Sequence, residues 1–159
     1  MKLRVLWFGR RDPAIDEQVE TYRRRVRRRW PAEDRALKPL AGGRGADPHR
    51  ALREEARSLG KLIGGDRLLV VLDERGQSVT SEAFAHRLRG FEERSASAVD
   101  FVIGSDLGID GDLVARADWS VSLSPMTLPH QLARLLLWEQ LFRATHILGG
   151  GGYHRSNVQ

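Results

Sequence analysis

The chain has 159 residues, no cysteine, 41% hydrophobic residues and a formal net charge of +5. This length fits one domain with a sizeable core, and the lack of cysteine excludes a disulfide scaffold, a thiolate zinc site and a cysteine nucleophile. No apolar run approaches the ~20 residues of a membrane helix and no signal-peptide pattern is visible, so we expect a cytoplasmic protein without an anchor.

The hydrophobic pattern predicts strands that alternate with helices. Residues 67–73 are apolar on both faces, which is typical of an interior strand of a parallel sheet. The apolar residues of 15–29 recur every three or four positions, as on one face of a helix. In chain order we predict a strand at 2–8, a helix at 15–29 with Pro13 in its first turn, a weak edge strand at 35–41, a helix from the N-cap Asp47 to about 63, a strand at 67–73, a helix at 81–94 capped by Thr80 or Ser81, a strand at 98–104, a short helix at 112–117, a strand at 119–123 and a helix at 129–147.

This order repeats a strand and a helix five times. It predicts a single-domain α/β fold over residues 1–159 with a mostly parallel sheet. The apolar residues of the last helix are expected mostly in the core. Four glycines at 149–152 then form a hinge before a polar tail at 153–159. The core candidates of the last helix are Leu132, Leu135, Leu136, Trp138, Leu141 and Phe142.

The basic charge is concentrated in the first part of the chain. Residues 1–65 carry 17 Lys and Arg against 9 Asp and Glu, whereas residues 66–159 carry 9 against 12. Codon preference would explain why arginine outnumbers lysine, but it would not explain this asymmetry. The asymmetry predicts that one face of the protein binds a polyanion. Arginine suits phosphate because its planar fork donates two hydrogen bonds at once. A merely solvated helix face is the alternative for the candidate RNA-binding residues, which are Arg23, Arg24, Arg27, Arg28 and Arg44.

Open parallel sheets bind ligands beyond the carboxyl ends of their strands. Here those ends fall at residues 72–73, 104–108 and 123–128, each followed by small or loop-forming residues. Such loops can turn main-chain amides outward, which suits a small ligand such as a purine ring. Tight turns alone would explain Gly104 and Gly108 equally well, and the spacing does not decide between the two interpretations.

Several common sites are absent from the sequence. There is no P-loop motif, no G-x-G-x-x-G after a strand and no histidine pair at zinc-binding spacing. Residues 104–108 resemble a nucleophile elbow around Ser105, but Ile103 and Leu107 stand where that motif needs glycine. A reaction without metal or covalent intermediate, or simple binding, remains.

Three segments carry a more specific pattern. The first is Phe-Val-Ile-Gly at 101–104 with Gly108. The second is Leu-Ser-Pro-Met-Thr-Leu-Pro-His at 123–130, which continues through Arg134 and Glu139 to residues 141–144. The third is Tyr-His-Arg at 153–155. These motifs, with the order of elements and the length, resemble the RlmH family, SPOUT-class methyltransferases that act on N3 of a pseudouridine in large-subunit ribosomal RNA.

The resemblance implies several properties that the composition does not show. It implies a trefoil-knotted α/β fold, although knots are nearly absent from proteins in general. It implies a homodimer whose site is completed by the partner subunit and by the tail at 149–159, acting without metal on large-subunit rRNA within the ribosome. The implied pocket for S-adenosylmethionine (AdoMet) consists of Leu72, Gly104, Leu123, Ser124, Pro125, Met126, Thr127 and Leu128.

The resemblance also suggests catalytic roles for three tail residues. The acceptor imide nitrogen must lose a proton before its lone pair can attack a methyl group. His154 would accept that proton, Arg155 would stabilise the developing negative oxygen or hold a phosphate, and Tyr153 would stack on or orient the base. Composition alone would make this tail a disordered polar segment. His130 is open to a structural or a direct role, because it begins a helix.

Two features depart from the family pattern. Family members commonly read Gly-Gly-Pro-Glu-Gly after the fourth strand, whereas residues 104–108 read Gly-Ser-Asp-Leu-Gly. We therefore do not give Asp106 the role of the family glutamate. The glycines at 149–152 replace a proline-containing turn, which predicts a looser tail until RNA binds. A SPOUT enzyme acting on transfer RNA and a noncatalytic RNA-binding or ribosome-assembly protein remain as alternatives.

Overall fold

Five strands and five helices alternate along residues 1–40 and 47–150, the part of the chain that the computed structural model describes. All ten predicted elements are present. They are β1 (Lys2–Phe8), α1 (Pro13–Val26), β2 (Ala32–Leu37), α2 (Pro48–Gly60), β3 (Arg67–Ser78), α3 (Ser81–Glu93), β4 (Ala98–Ile103), α4 (Gly111–Ala115), β5 (Trp119–Ser122) and α5 (His130–Leu148).

The strands form one sheet in the order β2-β1-β4-β3-β5, and every pairing is parallel. All five strands therefore end at one edge, the carboxyl edge, and begin at the opposite amino edge. Each long helix runs back from the carboxyl edge to the amino edge. Because β4, β3 and β5 are neighbours, the loops after β4 and β5 meet residues 73–75 of β3 at the carboxyl edge, the edge at which the sequence predicted a site.

Two apolar layers cover the two faces of the sheet. One contains Val19 of α1, Leu88 of α3 and Trp138 of α5, and the other contains Leu59 of α2 and Leu113 of α4. This arrangement explains the continuous apolar run of β4, because all six of its residues are buried.

The prediction for β2 was shifted along the chain. The strand begins at Ala32 rather than at residue 35, and it lies at the edge as predicted. The sequence did not indicate the true start of the strand, because Asp34 is acidic and an acidic residue is unusual in a core. Here its carboxylate accepts hydrogen bonds from Arg134 at 2.7 and 3.0 Å and from the Trp138 indole at 2.8 Å. Arg134 is 1% exposed and also donates to Asp16, so the network ties β2, α1 and α5 together.

A second buried carboxylate lies under the other face of the sheet. Asp100 of β4 is 0% exposed and accepts two hydrogen bonds each from Arg4 and Arg67. Burial would raise the pKa of Asp100, but the hydrogen bonds from Arg4 and Arg67 outweigh it and hold the pKa below the usual 3.8. Asp100 therefore remains ionised and joins β1, β3 and β4.

Strand β3 is longer than predicted. Its pairing with β5 is interrupted after Leu72 and resumes at Gln77. Gly76 makes the second contact possible, because a Cβ there would lie 2.8 Å from the backbone of Val121. The interruption leaves residues 73–75 at the carboxyl edge.

The last helix differs from its prediction in burial. Trp138, Leu141 and Phe142 are buried as expected, but Leu132 is 41% exposed and Leu136 is 37% exposed. These two leucines lie one turn apart on α5, away from the sheet. Among the helices in residues 1–40 and 47–150, none has the length and apolar character needed to cross a membrane.

Candidate active site

A cavity of about 770 Å³ opens at the carboxyl edge of the sheet. Its walls are residues 72–75 of β3, the loops that follow β4 and β5, and the first turn of α5. The lining residues are Leu72, Asp73, Glu74, Arg75, Ile103, Gly104, Ser105, Asp106, Leu107, Gly108, Ile109, Leu123, Ser124, Met126, Thr127, Leu128, Pro129, His130 and Ala133.

The wall formed by residues 73–75 of β3 carries charged side chains. Arg75 donates to Asp73 from its backbone N–H at 2.8 Å and from its guanidinium at 3.0 and 3.1 Å. The hydrogen bond from the Arg75 guanidinium holds the pKa of Asp73 below its usual range, although partial burial opposes the shift. Asp73 therefore presents a carboxylate to the cavity at neutral pH.

The wall after β4 depends on its glycines. A Cβ on Gly104 would collide with the carbonyl group of Gly108 and lie 2.6 Å from the side chain of Ile109. Gly108 has a φ of +89°, a conformation that other residues rarely adopt. Its N–H donates to the carbonyl of Ser105 at 2.9 Å. The glycines thus fold residues 104–108 into a turn that closes one side of the cavity.

A buried carboxylate anchors this turn from below. Glu55 of α2 is 3% exposed, and its carboxylate accepts the Ser105 hydroxyl at 2.9 Å. Its other oxygen accepts the backbone N–H of Leu40 at 3.0 Å. The Ser105 hydroxyl therefore fixes the turn to α2 through a side-chain hydrogen bond.

The wall after β5 contains the Leu-Ser-Pro-Met-Thr-Leu motif. The backbone N–H of Met126 donates to the Ser124 hydroxyl at 3.0 Å, which turns the chain locally. The Thr127 hydroxyl donates to Glu74 at 2.6 Å. This hydrogen bond joins the loop after β5 to residue 74 of β3.

His130 closes the remaining side. Its Nδ1 lies 3.1 Å from a carboxylate oxygen of Asp106. Its ring packs over Gly9, where a Cβ would collide with Nε2, and stacks near Trp7 with ring centroids 6.3 Å apart. The structure thus gives His130 a packing role at the first turn of α5 and gives Asp106 a contact across the rim.

The structure brings most predicted cofactor-binding residues to one cavity. Pro125 lies in the same loop but does not line it. The cofactor-binding list that the resemblance implied has Leu72 alone on this wall and omits residues 73–75, although the sequence analysis placed Asp73 at the carboxyl end of its strand. Tyr153, His154, Arg155 and Arg44, which were assigned to catalysis and RNA binding, lie outside the described residues. The predicted residues that line the cavity are Leu72, Gly104, Leu123, Ser124, Met126, Thr127 and Leu128.

The remaining candidate RNA-binding arginines lie elsewhere. They occupy the end of α1 and the turn after it, which lead into β2 at the amino edge. Arg23 is held against Glu20 at 2.6 Å, and Arg24 approaches the same carboxylate at 3.8 Å. Arg27 and Arg28 are exposed and have no acidic partner in the described part of the chain.

Comparison with known proteins shows which family this chain belongs to. A family model described as "Predicted SPOUT methyltransferase" matches residues 1–154. The chain belongs to the SPOUT methyltransferase family. Within residues 1–40 and 47–150, no cluster of three or more His, Asp or Glu side chains could hold a metal ion.

Three curated relatives of this SPOUT protein share the name "Ribosomal RNA large subunit methyltransferase H". The protein from Anaeromyxobacter dehalogenans is 41% identical over 160 residues, which cover 98% of this chain and 100% of the relative. The one from Solidesulfovibrio magneticus is 40% identical over 153 residues, 96% of this chain and 97% of the relative. The one from Prochlorococcus marinus is 50% identical over 105 residues, 66% of this chain and 70% of the relative.

Solved structures share the fold at low sequence identity. A probable methyltransferase from Bordetella pertussis superposes with a TM-score of 0.55 and 16% identity, covering 90% of this chain and 95% of that one. A probable methylase family protein from Haemophilus influenzae gives a TM-score of 0.54 and 9% identity, covering 99% and 72%.

Proposed function

We propose that this SPOUT protein transfers a methyl group from AdoMet to N3 of a pseudouridine in large-subunit rRNA. The observation that supports this best is the cavity at the ends of β3, β4 and β5, walled by the residue 104–108 turn and the residue 123–130 motif. Relatives that align with nearly the whole chain are named as ribosomal RNA large subunit methyltransferases.

The residues of the cavity fit AdoMet. Its volume lies within the range of about 300–1,000 Å³ found for small-molecule sites. Leu72, Leu123 and Leu128 offer apolar walls for a purine ring, and the lining carboxylates outnumber the single guanidinium of Arg75. A cationic sulfonium is favoured in such surroundings. When bound, AdoMet supplies an already activated methyl group, so the protein needs only to orient the acceptor and exclude water.

The acceptor must be deprotonated by the chain itself. N3 of pseudouridine carries a proton, and its lone pair becomes available only when that proton leaves. We assign His154 as the group that accepts the proton, because imidazole titrates near neutral pH. Arg155 would stabilise the negative charge on the neighbouring oxygen, and Tyr153 would stack on the base.

Covalent geometry limits which cavity this tail can serve. Gly150 follows the end of α5 at the amino edge, and the first turn of α5 lines the cavity. The helix rises 1.5 Å per residue, which puts about 30 Å between His130 and Gly150. Tyr153 lies three residues beyond Gly150 and can be at most about 11 Å away from it. We therefore assign the tail to the cavity of a partner subunit, in a homodimer.

The exposed apolar groups near the cavity support a second copy as the partner. Leu132 and Leu136 form an apolar strip on α5, and Met126 of the cavity wall is 75% exposed. Large apolar side chains that are exposed on one helix and on the adjoining cavity wall are typical of an interface. We expect the polypeptide of each subunit to form the trefoil knot of the family.

The rRNA would also contact arginines at the amino edge. Arg27 and Arg28 are exposed, whereas Arg23 and Arg24 share Glu20 and would have to exchange that partner for a phosphate. Each phosphate contact steepens the salt dependence of RNA binding by slightly less than one log unit per log unit of salt. Arg44 belongs to this proposal as a residue of the basic loop after β2.

Methyl transfer from labelled AdoMet tests the proposed function. Assembled ribosomes, isolated large subunits, free rRNA and transfer RNA are compared as acceptors, and the modified nucleoside is identified by mass spectrometry. We expect label in large-subunit rRNA alone, at pseudouridine. Large subunits that carry uridine at the target position are the matched control.

A truncated variant of the protein tests the role of the tail. Removal of residues 151–159 should abolish transfer but leave AdoMet binding unchanged, because residues between 72 and 133 form the walls of the cavity. Label in transfer RNA would favour the first alternative, and AdoMet binding without transfer to any RNA would favour a noncatalytic protein. Full activity of the truncated chain would exclude a catalytic tail.

A further inference from the structure

A second concave surface lies at the amino edge of the sheet. It is a groove of about 680 Å³ between the end of α1 and the end of α5, and we call it the α1–α5 groove. Its lining residues are Arg25, Arg28, Arg29, Phe142, Thr145, His146 and Gly149. The groove shares no lining residue with the cavity at the carboxyl edge.

The three arginines are held in different ways. Arg29 donates to Glu92 at 2.8 Å and lies over the Trp30 ring, so its position is fixed. The Arg25 guanidinium lies 5.2 Å from the centre of the Phe142 ring. Stacking on a ring uses the face of a guanidinium and leaves its N–H edge available to an oxyanion. Arg28 has no acidic partner within the described residues.

The charge of the groove exceeds what its surroundings neutralise. Each of the two helix C-termini that end there carries about half a negative charge, and Glu92 carries a full one. The three guanidiniums leave a surplus of about one positive charge after these are subtracted. Arg24 and Arg27 add to this field from the same segment, so structural compensation of the helix dipoles does not account for all of the arginines.

The groove also lies where the tail begins. Gly149 lines it, and Tyr153 is four residues away, within about 14 Å even for extended backbone. The cavity of the same subunit is about twice as far, at the other end of α5. Whichever cavity receives Tyr153, the α1–α5 groove of the tail's own subunit therefore lies beside it.

We infer that the α1–α5 groove binds phosphates of the substrate RNA that flank the target nucleotide, and that it acts on the cavity of the partner subunit. One subunit then supplies the AdoMet cavity, and the other supplies both the tail and the arginines that hold the RNA backbone. This inference rests on the proposed function. It adds Arg25 and Arg29 to the RNA-binding residues. It also assigns the contacts with the RNA backbone to the subunit that supplies the tail.

Binding measurements test the groove by itself. The double variant Arg25→Glu/Arg28→Glu should bind large-subunit rRNA at least tenfold more weakly, with a salt slope smaller by about two. AdoMet affinity, measured by calorimetry, should not change. The matched control Arg89→Glu/Arg116→Glu alters net charge equally at exposed arginines of α3 and of the turn after α4. An equal loss of RNA binding in the control would overturn the inference that the α1–α5 groove binds RNA.

Mixed dimers test which subunit the groove serves. One subunit carries Gly104→Ala, which distorts its own cavity, and the other carries Arg25→Glu/Arg28→Glu. If the groove serves the partner's cavity, one intact combination remains, and the mixed dimer should retain about half of the wild-type transfer rate. If the groove serves its own cavity, both sites are defective and the mixed dimer should be as inactive as either variant homodimer.

A substitute variant and two further outcomes separate the test of the groove from the test of the proposed function. Leu128→Trp, which fills the cavity with a bulky ring, replaces Gly104→Ala if that variant does not fold. Wild-type protein that binds rRNA through the groove but transfers no methyl group would refute the proposed function and leave the groove as an RNA site. If the Arg25→Glu/Arg28→Glu variant binds rRNA and transfers methyl groups as the wild type does, the inference that the groove binds RNA is refuted, and the proposed function is not affected.

Discussion

The two edges of the sheet differ in how they could hold a ligand. At the carboxyl edge, three carboxylates and one guanidinium surround a cavity whose shape depends on glycine backbone and on short hydrogen bonds between loops. At the amino edge, three guanidiniums surround a groove whose walls are two helix ends. One edge suits a compact cationic cofactor in a fixed shape, and the other suits a long flexible polyanion. The basic segment at the end of α1 and the motif at residues 123–130 therefore lie at opposite edges of the sheet.

The largest effect is expected from a single methyl group at the carboxyl edge. Gly104→Ala should weaken AdoMet binding at least a thousandfold, or by about 4 kcal/mol, because the Cβ collides with the backbone of Gly108. RNA binding at the amino edge should not change. Calorimetry with AdoMet measures the first and a filter-binding titration with rRNA measures the second. Gly111→Ala, where a Cβ meets nothing within 4 Å, is the control. AdoMet affinity within threefold of wild type would show that the cavity does not hold the cofactor.

The next effect concerns the network that fixes α5 between the two edges. Asp34→Ala leaves the buried Arg134 with Asp16 as its remaining carboxylate partner, and it removes the acceptor of the Trp138 indole. The free energy of unfolding should fall by about 3 kcal/mol or more, as measured by urea denaturation. Glu33→Ala on the same strand removes an exposed pair with Lys2 and should cost less than about 1 kcal/mol. Equal costs for the two variants would mean that the buried network does not stabilise the fold.

A smaller, pH-dependent effect is expected beneath the amino half of the sheet. Asp100→Asn should lower the free energy of unfolding by about 2 kcal/mol at pH 7. The pKa of Asp100 is lower when folded than its usual 3.8, so its contribution is fully present above that value and is lost as the pH falls through the lowered pKa. Urea titrations from pH 7 to about pH 2.5 should therefore show wild type and variant converging only below about pH 4. A constant difference throughout would contradict the assigned charge state.

The local elements were largely predictable, and the exceptions share a cause. Asp47, Pro48 and Thr80 cap and begin helices as the sequence indicated, because capping depends on neighbours in the chain. The start of β2 was not predictable, since Asp34 becomes a core residue only through Arg134, 100 positions away. Leu132 and Leu136 have the spacing of core residues but are exposed, because the helical period does not say which apolar positions face the sheet.

The position of the site was predictable to the level of its loops. Parallel strands place their carboxyl ends together, so the residues at 104–108 and 123–128 could be assigned to one site before any coordinates. Glu74 and Arg75 could not, because their place at this edge depends on the interrupted pairing of β3 with β5. Neither could the anchor of the turn by Glu55, which lies 50 residues before Ser105.

The sequence by itself determined the alternation of strands and helices, the loops that meet at the carboxyl edge and the resemblance to the RlmH family, because periodicity, caps and motifs are local in the chain. Only the tertiary structure decided that the arginine segment and the start of the tail lie about the length of α5 away from the cavity. Distances of that kind follow from the direction in which each helix crosses the sheet. That direction is fixed by strand order and by buried partners such as Asp34 and Arg134, which are far apart in sequence.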